Sequence, residues 1–176
     1  MSHLLRKVSQ RKWEENKGRS PGDISADAIT GCTRTSDNTL SVWLSNTKDF
    51  NSESVEKLVV ALATTMNEPA TIDLVWLEPE WLSQKGITIS TTLGDTRYKT
   101  VNELHRDISA LNHKKLADVG EHILVQLENK ENYKRYLKNE LIALVLKWQK
   151  IDKDFEFEEL GPKWQKVLDK LAVSVK

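Results

Sequence analysis

A chain of 176 residues, 39% hydrophobic and 30% charged, is sized and composed for one soluble globular domain, or one domain with a helical appendage. Basic and acidic residues both number 26, so the net charge is zero and no global field draws nucleic acid or an anionic membrane. The single cysteine, Cys32, excludes an internal disulfide and cysteine-rich zinc sites, and a free thiol behind a start without an apolar signal core predicts a cytoplasmic protein.

The first segment, HLLRKVSQRKW, alternates at Leu4, Arg6 and Val8 and predicts an edge strand. EENKGRSPGD is punctuated by Gly18, Pro21 and Gly22 and reads as a loop. SADAITG predicts a short helix capped by Ser25 and ended by a left-handed Gly31. TGCTRTSDNTLSVWLS then predicts a β-hairpin. With Asp37 and Asn38 as a two-residue turn, Cys32, Arg34, Ser41 and Trp43 share one face, and Leu40 and Val42 point to the other. A three-residue loop would flip the face and bury the Arg34 guanidinium, so the two-residue turn is preferred.

SESVEKLVVALATTMNEP carries Val55, Leu58, Val59, Leu62 and Met66 at helical spacing, with Ser52 or Ser54 as cap and Pro69 past its end. TIDLVWL is apolar on both faces, the mark of a central strand; EPEWLSQKG turns the chain, and ITISTT is another strand. From Thr100 the pattern turns helical. TVNE reads as a capping box, and Val101, Leu104, Ile108 and Leu111 make a stripe. A second stripe follows at Leu116, Val119, Ile123 and Leu127, interrupted by Gly120, which weakens a helix unless close packing wants it. ENYKRYLKNELIALVLKWQKI predicts a long helix apolar on most sides and therefore central among the helices. DFEFEEL reads as an acidic linker anchored by two phenylalanines, and Pro162 opens a last helix. The expectation is an α+β fold. A small mixed or antiparallel sheet with one or two helices fills residues 1–99. A helical half, residues 100–176, packs on it as part of one cooperative domain.

The chain has no glycine-rich phosphate loop, nucleophile elbow or HExxH motif, so no cofactor is implied. His105, His113 and His122 stand eight and nine residues apart, off the spacing of ligands on one helix face, and read as solvated surface groups rather than metal ligands. Cys32 reads as a small, partly buried strand residue rather than a nucleophile. Glu78, at the end of the central strand beside Trp76 and Trp81, is an acid–base candidate, and Arg34 a candidate for recognising an anion. Arg6, Lys7, Arg11 and Lys12 around Trp13 have the basic-plus-aromatic composition of a nucleic-acid contact, diluted by Glu14 and Glu15.

Of six tryptophans, Trp43 on the polar face of its strand and Trp13 in the basic segment are the two that a core does not explain. With Arg34 they are the candidate partner-binding residues. The composition favours a non-catalytic protein–protein interaction module. It would be a subunit, inhibitor or adaptor of an intracellular complex, a type shared by small bacterial immunity, antitoxin and defence accessory proteins. An enzyme with its site on the hairpin face, or a nucleic-acid binder using the N-terminal segment, are the alternatives.

Overall fold

A computed structural model describes residues 2–33, 35–155 and 160–173. It is an α+β fold built on one six-stranded antiparallel sheet of order β4-β5-β2-β1-β3-β6. In chain order, β1 (His3–Val8) leads through α1 (Gln10–Glu14) and α2 (Ala26–Cys32) to β2 (Leu40–Ser45). Then come α3 (Glu53–Thr64), β3 (Ile72–Leu77), α4 (Pro79–Gln84) and β4 (Thr88–Thr91). β5 (His105–Ser109), α5 (His113–Glu128), β6 (Tyr133–Tyr136), α6 (Lys138–Ile151) and α7 (Pro162–Val173) complete the chain.

β1 is interior, not an edge: it pairs with β2 on one side and β3 on the other. Leu4 and Leu5 are consecutive, point to opposite faces and are both fully buried, so this strand needs cover on both sides. One face, with Leu5, Trp43, Leu74, Trp76 and Tyr136, lies beneath α3, α6 and α7. The other, with Leu4, Val8, Leu40, Val42, Val75, Leu77 and Ile108, lies beneath α2 and α5, helped by Trp13 of α1 and Leu82 of α4. The molecule is therefore a helix–sheet–helix sandwich, and β3, buried at every position, is the two-faced strand its sequence predicts.

Two expected helices are strands at their N-terminal parts. Residues 101–111 form a 3-10 turn (Lys99–Leu104) followed by β5. The stripe Val101–Leu104–Ile108–Leu111 fits a helix, but between β4 and β2 the segment 105–109 gains a ladder on both sides, which outweighs local preference. Thr100 caps no helix; Asn112 does, its side chain accepting from Lys115 N–H to open α5. Tyr133–Tyr136 is likewise β6, and the helix begins only at Lys138. α6 is one-sided rather than central, with Leu141, Ile142, Val145 and Trp148 buried and Ala143 exposed. EPEWLSQKG holds α4, and Gly31 lies within α2, which ends at Cys32. Phe155 is buried as an anchor, while Phe157 lies outside the described residues. Among the described residues no helix is long and apolar enough to cross a membrane.

Candidate functional site

The end of the sheet where β3 finishes is also where β2 finishes and β1 and β6 begin, as the pairs His3–Ser45, Leu4–Leu77 and Val75–Tyr133 require. Loops and one helix bring polar side chains together there. Lys48, after β2, donates to Glu78 Oε1 at 3.3 Å and to Asn132 Oδ1 at 3.0 Å. The Lys48 carbonyl accepts the Trp76 indole N–H at 3.1 Å, which fixes the loop. Asn132 Nδ2 donates to Gln126 Oε1, and the Gln126 amide nitrogen lies 3.5 Å from His122 Nε2. The circuit closes where Glu78 N–H donates to that same nitrogen at 3.3 Å. His122, Gln126 and Asn132 are all buried.

His122 is the centre of this network. Two N–H groups aim at Nε2, so the neutral ring carries its hydrogen on Nδ1. Burial pushes its pKa down to about 4, with the Lys48 charge adding to the fall and Glu78 opposing it. The imidazole stacks flat on Trp81, centroids 4.1 Å apart at 10°, and Lys85 Nζ stands 5.4 Å above the indole. Together with Glu121, Val125 and Gln126 these groups line a cleft of about 260 Å³.

The polar groups of this cluster are bonded mainly to one another. The one basic nitrogen of His122 is occupied, the Glu78 carboxylate is ion-paired with Lys48, and among the described residues no hydroxyl or thiol hydrogen-bonds to either. A second histidine group lies at the β4–β5 end of the sheet. Thr92 Oγ1 lies 2.8 Å from His105 Nδ1 and donates to Asp107 Oδ2 at 2.9 Å. The other ring nitrogen, His105 Nε2, lies 4.0 Å from Asp107 Oδ1, so hydroxyl, imidazole and carboxylate form a closed triangle. Among the described residues no group of His, Cys, Asp and Glu could hold a metal ion.

Of the residues that sequence reasoning proposed, only Glu78 falls in this cluster. Trp43 and Trp13 lie in the core rather than on the surface, 5% and 0% exposed. Asp37 and Asn38, with φ of 52° and 59°, do make the two-residue turn, bridging Ser36 to Thr39. Trp43 therefore points away from Leu40 and Val42, but that side of the sheet is covered too, and its ring meets His105 edge-on at 5.0 Å. Trp13 packs over Gly120 and Ile24. Cys32 sits at the end of α2, not in a strand, and its buried Sγ accepts Ser9 N–H at 3.2 Å. Arg34 lies outside the described residues.

The basic cluster is dispersed. Arg6 turns its guanidinium inward to the carbonyls of Cys32 and Ser41, at 2.6 and 2.5 Å. Lys7 is exposed on the opposite side of β1, and Arg11 and Lys12 on α1. Sequence reasoning missed His122, Gln126, Lys48 and Asn132. His122 and Gln126 carried a readable signal: they fall at the spacing of the stripe Val119–Ile123–Leu127, as polar residues on an apolar helix face.

Comparison with protein-family models, with curated proteins and with solved structures finds no match for this chain.

Proposed function

We propose that the protein is a non-catalytic protein–protein interaction module, a subunit, inhibitor or adaptor of an intracellular complex, that docks its partner over the α4–α5 cleft. One observation carries this reading: Trp81, half-buried, is locked by its stack on buried His122, and Val125 beside it is 58% exposed. A pre-fixed aromatic next to exposed apolar surface, rimmed by Lys85 and Glu121 of opposite sign, has the make-up of an interface anchor. A reducing cytoplasm belongs to the same proposal, motivated by the one unpaired, buried thiol. The test is a photo-crosslinker placed at Val125 in cells, with and without Trp81→Ala. A discrete crosslinked protein partner that disappears in Trp81→Ala, while the variant stays folded, is the expected result. A partner retained in full by Trp81→Ala would move the docking surface elsewhere. A small-molecule or nucleic-acid adduct instead would replace the reading.

A further inference from the structure

We propose that the open edge of β4 pairs with the β4 edge of a second copy of this chain, the two strands running antiparallel about Ser90. The described sheet ends in β6 on one side and β4 on the other. The two ends differ in kind. β6 carries Lys134 and Arg135 among its four residues, charges that discourage edge pairing. β4 lies in Gly86–Gly94, GITISTTLG, which has no charge and no proline. Leu93, just past the strand, is 79% exposed, the most exposed large apolar residue described. An uncharged edge of β-branched residues offers its unpaired N–H and C=O groups to another strand.

The sequence selects the second copy and the register. Around Ser90 the segment is nearly symmetric: Thr88 mirrors Thr92, Ile87 mirrors Leu93, Gly86 mirrors Gly94, and Lys85 mirrors Asp95 with opposite charge. Antiparallel pairing centred on Ser90 sets Thr88 against Thr92 and Ile89 against Thr91, side chains on common faces. It also brings Lys85 of each copy toward Asp95 of the other, at both ends. Centred on Ile89, Lys85 would face Leu93; centred on Thr91, it would face Arg97, a like charge. Gly86 turns the chain at φ +65° and Ile87 is buried, so the pairing would use β4, Thr88–Thr91, and extend it by Thr92, and the charges steer from outside it. Lys85 caps α4, 3.6 Å from Asp118 and 5.4 Å from the Trp81 ring, so its charge acts on Asp95 of the second copy only at longer range. A net charge of zero adds no repulsion between copies.

Sedimentation of the full chain from micromolar to millimolar concentration tests this. The expected result is a concentration-dependent species of twice the 20.2 kDa chain mass. Ser90→Lys sets two ammonium groups against each other at the axis and should leave only a folded monomer, destabilised at most by loss of the Ser90–Ser109 hydroxyl contact at 2.9 Å. If that variant does not fold, Asp95→Lys, at an exposed site, should weaken dimerisation at least tenfold. The register is read separately. Opposed residues of an antiparallel pair stand at disulfide-compatible separation, so Ser90→Cys should give an intermolecular disulfide under mild oxidation and Asn129→Cys should not. A wild type that stays monomeric throughout overturns the proposal. So does a dimer that survives the charge variants, or Ser90→Cys chains that crosslink no faster than Asn129→Cys chains.

Discussion

Gly94 and Gly120 are both glycines against a tryptophan, and their geometry sets opposite expectations. A Cβ at Gly94 would fall 2.6 Å from Trp43 Cη2 and 3.1 Å from His105 Cβ, groups that are buried and cannot yield. Gly94→Ala is expected to cost roughly 1–3 kcal/mol by overpacking. A Cβ at Gly120 would touch Trp13 Cη2 at 3.4 Å, close to ordinary contact, so Gly120→Ala should be neutral or stabilise by up to about 1 kcal/mol through helix propensity. Urea unfolding of both variants checks the contrast, and a Gly94→Ala protein as stable as wild type would place Trp43 differently. His122 makes a pH prediction. Its pKa falls from 6.5 to about 4 on folding, so between those values the unfolded chain takes up a proton that the folded chain refuses. Stability is therefore lost as pH drops from about 6.5 toward 4, by roughly 2 kcal/mol at about pH 4.5 from this residue alone. His3 and His105, also lowered by burial, act in the same direction. His122→Gln keeps an acceptor for Glu78 N–H and removes the titration, so its stability should fall less between neutral pH and about pH 4.5, by that same roughly 2 kcal/mol. An equal fall in variant and wild type would mean that the ring is solvated.

At the scale of elements, α6 states its own test. Val145 is fully buried against the sheet and Ala143 one turn-face away is exposed. Val145→Asp should cost more than about 4 kcal/mol, an unpaired carboxylate in the core, and Ala143→Asp within about 0.5 kcal/mol of nothing. Equal effects would mean that the helix is buried all round, as its composition alone suggests. Long periodic runs such as α3 and the apolar strand β3 were legible because a single pattern, of period 3.6 or continuous, fills the whole element. β5 and β6 were not. HRDIS and YKRY are short and polar, and each adjoins a helix-like apolar series that absorbs it. What makes them strands is a neighbour distant in sequence: β5 sits between β4 and β2, and β6 on β3. The same blindness hid the candidate site. Lys48, Glu78 and His122 are separated by tens of residues, and only the common end of four strands gathers them with Asn132. It also misplaced Trp43, whose facing residues read as polar although helices cover both sides of its strand.

For the whole molecule, the topology couples the two halves of the chain. β5 supplies the strand neighbour on which β4 depends entirely and closes the outer side of β2. β6 closes β3, where Arg135 donates to Asp73 at 2.8 Å and Tyr133 O–H adds a further bond at 2.8 Å to the same carboxylate. Helices from beyond residue 100 roof both faces: α5 over one, α6 and α7 over the other. Removing everything after Thr100 would strip β4 of any strand partner, uncover Trp76 and Leu74 on one side and Val75 and Leu77 on the other, and leave Asp73 with only the Gln10 N–H of its bonding partners. A fragment of residues 1–100 is thus expected to be insoluble or molten, and the full chain to unfold in one transition. Tryptophans report from both faces, Trp13 from one and Trp43, Trp76, Trp148 and Trp164 from the other. Fluorescence and far-ultraviolet circular dichroism should therefore give coincident urea midpoints. Two separated midpoints, or a fragment with dispersed native-like amide resonances, would show that the sheet folds without its second half and that β5 and β6 join it as an appendage.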